Sequence, residues 1–277
     1  MSRLWALFAV FVLGASCAPS RTGTGHRTSG AEQPMVICFF GGGAWRFERM
    51  THFIPGFLAF DGEGGLSEWD LRAVSKEAHD AGVKVIVSFD GEHWQENFLP
   101  MSENEDGSRD RFVENILRYC LENGVDGVDY DWEIGGGFDA RQQSLYSELV
   151  IATKKAFRPH GLTVSIDAYF RDELDARGLE AVDWIQLMSY EDLDEMHSMI
   201  EYWKARGVPD DKLVLGMAIG WGDQREGFDP ELVRAKVRSC IDGGYAGVML
   251  FRTDLDAEHE GSMLQVVHES LIPVPSR

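Results

Sequence analysis

Asp126-Gly127-Val128-Asp129-Tyr130-Asp131-Trp132-Glu133 is the stretch that decides how this chain reads. Its carboxylates at 129, 131 and 133 are two residues apart. Alternate side chains of a β-strand share a face, so the spacing points all three the same way. Val128, Tyr130 and Trp132 then point the other way, toward an apolar layer. Stacked acids resist ionising together, and their proton affinities must be driven apart. Such stacks concentrate where protons are handled. A metal site or a solvated edge strand would also carry acids, but an aromatic opposite face argues against a solvated edge.

Outward from this stretch, apolar strands alternate with helices. The pattern predicts strands at 35–40, 52–60, 83–89, 162–168, 184–190, 213–219 and 247–251, with the acidic stretch as the fourth of eight. Helices are predicted at 67–81, 109–122, 140–157, about 172–178, 194–206, 230–242 and 257–271. Ser67 reads as an N-cap, Gly82 and Gly124 as stops, and Asp229-Pro230 as a capped start. Eight strands with helices between most of them suggest an α/β fold, a single (β/α)8 TIM barrel. A doubly wound open sheet would have the same periodicity. Only 44–51 separates the first two strands, so the first helix is degenerate. A normal helical crossover joins strands seven and eight, which leaves no room for an α+β insertion there.

The octapeptide fits D-x-x-D-x-D-x-E. In this it resembles glycoside hydrolase family 18, the chitinases and endo-β-N-acetylglucosaminidases, and the resemblance decides for the barrel. Further motifs follow in family order. Gln186-Leu187-Met188-Ser189-Tyr190-Glu191 resembles the family's Q-x-M-x-Y-D, with Glu191 in place of Asp. Ser88-Phe89-Asp90-Gly91 resembles S-x-G-G, with Asp90 departing from it. Phe251 stands at the end of strand eight, where the family usually has Trp.

The resemblance implies a retaining hydrolase of β-1,4 bonds after N-acetylglucosamine, in chitin, chitooligosaccharide or the chitobiose core of N-glycans. The family is an exception to the two-carboxylate scheme: the substrate's own acetamide attacks, through an oxazolinium ion. By the same resemblance Glu133 is the general acid and base, Asp131 orients the acetamide, Asp129 sets the charge state of Asp131, and Tyr190 bonds the acetamide. Gln186, Met188, Glu191, Phe251 and Asp90 are expected to contact sugar. Trp45, Trp94 and Trp221 are candidate sugar platforms, each as compatible with packing. Asp126, Ser88 and Gly91 are expected to be structural. Two other readings stay open: a chitinase-like lectin without turnover, and a bacterial cell-wall N-acetylglucosaminidase.

The chain has 277 residues and a net charge of −20, which disfavours nucleic acid and anionic membrane surfaces. Residues 1–16 read as an export signal, with an apolar run at 4–13 too short for a permanent span. Cys17 follows, as in a bacterial lipoprotein signal, and 17–34 reads as a flexible tether ahead of a catalytic barrel at 35–277. Lipidation at Cys17 is expected, with plain secretion the alternative. Cys38, Cys120 and Cys240 have no C-x-x-C spacing and read as buried core residues. No cofactor and no metal are expected. The expected partner is an N-acetylglucosamine-containing glycan; the membrane enters only through the lipid, and the protein is expected to be a monomer.

Overall fold

The structure, a computed structural model, describes residues 33–40, 46–89, 94–134, 137–168, 173–220, 229–257 and 261–271. Eight strands close into a barrel in sequence order, every neighbouring pair parallel and β8 returning to β1. They are β1 (Met35–Phe39), β2 (His52–Ile54), β3 (Lys84–Phe89), β4 (Gly127–Tyr130), β5 (Thr163–Ala168), β6 (Trp184–Leu187), β7 (Leu213–Ala218) and β8 (Gly247–Phe251). The helices are α1 (Arg72–Asp80), α2 (Trp94–Glu103), α3 (Ser108–Asn123), α4 (Ala140–Phe157), α5 (Ala176–Ala181), α6 (Leu193–Ala205), α7 (Pro230–Gly243), α8 (Thr253–Ala257) and α9 (Met263–Leu271). The architecture is the expected (β/α)8 barrel. Its first helix is reduced to a 3-10 turn, Phe47–Arg49. Between β7 and β8 the described chain carries α7 alone.

Strand alternation sorts the apolar residues into two layers. Ile37, Ile54, Ile86, Val214 and Met249 fill the barrel interior. Val128, Tyr130 and Trp132 join the layer between strands and helices. There Trp132 stacks on Phe98 of α2, centroids 4.6 Å apart and planes 7° from parallel. Tyr130 shares a hydrogen bond with Thr153 of α4 at 2.7 Å, and Tyr146 donates to the Tyr130 carbonyl at 2.8 Å. The back of the acidic strand is thus held by helices α2 and α4. Cys38, Cys120 and Cys240 are buried in the core, as expected, and burial pushes the Cys38 and Cys120 thiols up.

Several boundaries differ from expectation for local reasons. The second strand stops at Ile54, because Pro55 has no N–H to donate and Gly56 takes a φ of 145°. Ser67 is no N-cap: its N–H goes to the Ala59 carbonyl, and α1 begins after Leu71 without a side-chain cap. The sixth strand stops at Leu187, where the Ser189 and Tyr190 amides turn back to the carbonyls two residues earlier. The fifth helix begins four residues beyond expectation, capped by Asp175. The last predicted helix begins later, as α9 at Met263–Leu271, with the short α8 ahead of it. Asp256 accepts from Ser262 Oγ at 2.6 Å and the Leu264 amide at 3.1 Å, and so caps α9. Helix α2 escapes the sequence reading because Pro100 lies inside it and reads as a breaker. The capped starts at Asp229-Pro230 and the left-handed glycine stops at Gly82 and Gly124 are present. Among the described residues no helix is long and apolar enough to cross a membrane.

Candidate active site

The carboxylates lie where β4 runs out at the C-terminal face, the end of such barrels that carries active sites. The strand stops at Tyr130; the Asp131 amide still donates to the Phe89 carbonyl at 3.1 Å, and Asp131 and Glu133 follow outside regular secondary structure. Exposure rises along the row: Asp129 is fully buried, Asp131 is 8% exposed, and Glu133 is part-exposed at the mouth.

Asp129 is enclosed by donors from three other strands. Parallel register sets it opposite Ser88 on β3 and Ser165 on β5. Ser88 Oγ donates to its Oδ2 at 2.9 Å, and Ser165 Oγ to its Oδ1 at 2.6 Å. Gln186 Nε2 on β6 also donates to Oδ1, at 2.9 Å. Asp167, two residues after Ser165 on the same inward face, hydrogen-bonds Asp129 as well. Burial pushes the Asp129 carboxyl above the ordinary carboxylate range, and these four partners pull it back. Burial pushes Asp167 up much further, reinforced by the nearby charges of Asp129, Asp131 and Glu133.

Tyr190, just past β6, turns its ring onto Phe251, centroids 6.2 Å apart and planes 23° from parallel. Its hydroxyl contacts Met249 Sδ at 3.9 Å. Burial, then Asp167, Asp131, Glu133 and Asp129, hold the phenol well above its usual range, so it remains an O–H donor. Phe251 meets Phe39 and Phe40 edge-on at 5.7 and 5.8 Å. These rings form an apolar wall beside the acids.

The other expected site residues differ in burial and partners. Gln186 is fully buried and its amide nitrogen donates to Asp129, so it supports that carboxylate. Met188 is a buried member of the barrel interior. Glu191 is exposed, with its amide donating to Glu195. Ser88, expected to be structural, is a hydrogen-bond donor to Asp129. Asp126 is on the outer side of the strand entry, accepting from the Val85 amide and the His79 ring, both at 2.8 Å. Trp94 opens α2, but its side chain lies outside the described residues, as do Cys17, Trp45, Asp90, Gly91 and Trp221.

Sequence reasoning missed Ser165, Asp167 and Lys236. A signal for the first two existed: Thr163, Ser165 and Asp167 make one face of β5 polar against Val164, Ile166 and Ala168. Lys236 gave none. It sits on α7 with its ammonium donating to the Ser189 carbonyl at 2.6 Å and reaching the Glu191 carbonyl at 3.4 Å, on either side of Tyr190. At the opposite end of the barrel, burial lowers His52 to about 4, so it stays neutral near neutral pH. Among the described residues, no group of three or more His, Cys, Asp or Glu is arranged to hold a metal.

The site combines a part-exposed acid, a chain of buried carboxyls behind it and a phenol donor beside aromatic rings. It can donate and recover a proton at its mouth and orient a polar group beneath. The chain is similar to known proteins in sequence and in fold. The chain is 24% identical over 249 residues to a probable chitinase 10 of Drosophila melanogaster, covering 66% of this chain and 11% of that protein. It is 23% identical over 192 residues to a probable endochitinase of Caenorhabditis elegans, covering 54% of this chain and 31% of that protein. The chain therefore spans only a minor part of these curated relatives. In fold it is similar to the GH18 chitinase ChiB from the chitin utilization locus of Flavobacterium johnsoniae. The TM-score is 0.73 at 20% identity, over 87% of this chain and 94% of that one. The sequence model of Glycosyl hydrolases family 18 matches residues 31–226, from ahead of β1 to beyond β7, and the chain belongs to that family.

Proposed function

We propose that the protein is a retaining glycoside hydrolase that cleaves β-1,4 bonds after N-acetylglucosamine in chitin or chitooligosaccharides. The observation that carries this reading is the graded row of carboxyls on β4, with only Glu133 reaching the mouth. Glu133 protonates the glycosidic oxygen and later removes a proton from water. Asp131, one strand repeat beneath, holds the N–H of the 2-acetamido group and stabilises positive charge on the oxazolinium ion. Tyr190 donates to the acetamide oxygen. Asp131 and Glu133 leave the same side of one strand, so they cannot flank the bond from opposite faces. Retention then needs another nucleophile, and the family's own solution, attack by the substrate's acetamide, is the one proposed here. The names of the curated relatives support chitin as the polymer.

The test is turnover of a fluorogenic N-acetylchitooligosaccharide by the full chain and by Glu133→Gln. Activity in the wild type, a loss of about 10²–10⁴-fold or more in the variant, and a first-formed β-anomer by NMR are expected. Near-full activity of Glu133→Gln, or a first-formed α-anomer, refutes the mechanism. Binding without turnover by the wild type would support the lectin reading. We also propose export with a lipid on Cys17, from the apolar run and small residues that precede it. Mass spectrometry finding Cys17 retained and unmodified in the exported protein would refute lipidation.

A further inference from the structure

Asp167 is a fourth carboxyl in the barrel that the acidic motif does not include. It lies on β5, 3% exposed, one register step along from Ser165 and opposite Gln186. Its surroundings are unlike those of its partner. Asp129 accepts from two serine hydroxyls and one amide, besides Asp167. Asp167 Oδ1 is buried with no hydrogen-bond partner. Two buried carboxyls in contact cannot both carry charge, because like charges in low dielectric repel and one must keep a proton. The proton goes to the carboxyl with fewer donors, since an ionised carboxyl is acceptor-only and needs its lone pairs filled. Asp129 meets that need and Asp167 does not.

We propose that Asp167 is a positioning residue of the active site: it carries a proton and donates a hydrogen bond to Asp129, which keeps Asp129 anionic behind Asp131 and Glu133. This rests on the hydrolase reading only for its catalytic consequence. Among the described residues, the titratable groups facing Asp167 are Asp129 of β4, Asp131 and Glu133 beyond it, Tyr190 beyond β6 and Tyr146 of α4. All are acids or phenols, and each disfavours a second negative charge at this point. A fixed anion at Asp129 makes Glu133 harder to ionise, which keeps the mouth acid protonated to higher pH.

Two substitutions separate the roles. Asp167→Asn keeps an N–H donor toward Asp129, so kcat/KM and its pH profile should stay close to wild type. Asp167→Leu removes the donor; Asp129 then takes up a proton itself and its field on Glu133 fades. The alkaline limb of kcat/KM should move to lower pH, and the rate should fall about tenfold to a hundredfold. If Asp167→Asn is as impaired as Asp167→Leu, or if Asp167→Leu leaves the limb in place, the proposal is overturned. A direct measurement needs neither turnover nor a folded Leu variant. In a Glu133→Gln background, the infrared C=O stretch of a protonated carboxylic acid should be present near neutral pH and lost on adding Asp167→Asn. A band unchanged by Asp167→Asn, or no band at all, overturns the proposal. An inactive wild type that shows the band sinks the hydrolase reading alone.

Discussion

Replacing Ser165 with alanine removes one oxygen from the barrel interior and one donor from Asp129. The donor is close, at 2.6 Å, and its acceptor is fully buried, so no water replaces it. A hydrogen bond to a charged group is worth about 1.5–3 kcal/mol, and Ala fills nearly the same volume, so the cost near neutral pH should fall in that range. For a domain of this size that lowers Tm by about 3–12 °C. The pH dependence gives the sharper test. Burial raises Asp129 above the ordinary carboxylate value, so the folded protein holds this proton more tightly than the unfolded chain does. Stability from such a group is fully present below the unfolded value, about 3.9, and is lost as pH rises through the folded one. Losing the Ser165 donor raises the folded value further, so the variant loses more over the same climb. Its deficit should be greatest near neutrality and shrink toward about 0.5–1.5 kcal/mol as acid protonates Asp129. Urea unfolding of both proteins near neutrality and about two pH units lower measures this. A deficit equal at both pH values would refute an ionised Asp129, and no deficit at all would refute the hydrogen bond.

Lys236→Met should remove a pH dependence present in the wild type. Burial lowers Lys236 to about 7, so the unfolded chain binds its proton more tightly. Wild-type stability should therefore rise with pH between that value and the unfolded one, about 10.4, by up to about 1.4 kcal/mol per unit. A parallel rise in Lys236→Met unfolding curves would count against it. Trp132→Ala should cost about 3–5 kcal/mol in chemical unfolding, because the ring is 1% exposed and stacked on Phe98. A loss below about 1 kcal/mol would mean the strand–helix layer closes over the gap.

What the sequence alone determined is whatever depends on neighbours along the chain. The two-residue spacing of 129, 131 and 133 dictates a shared face, because strand parity is a property of any extended backbone. The eight-fold alternation of apolar runs and helical patterns is equally local. So are the glycine stops and the aspartate caps. The motif at 126–133 therefore named both the family and the acid at the mouth. Where local signals conflicted, as at Pro100 inside α2 or after Ile54, the boundaries went astray. Only barrel closure assembled the groups around the buried carboxyls. Ser88, Ser165 and Gln186 stand 41, 36 and 57 residues from Asp129. Parallel register brings them, with Asp167, onto one carboxylate. Which of two acids keeps a proton depends on how many donors each meets and how little water reaches them. Those counts follow from strands that are distant in sequence and adjacent in the barrel, so no reading of a single strand contains them.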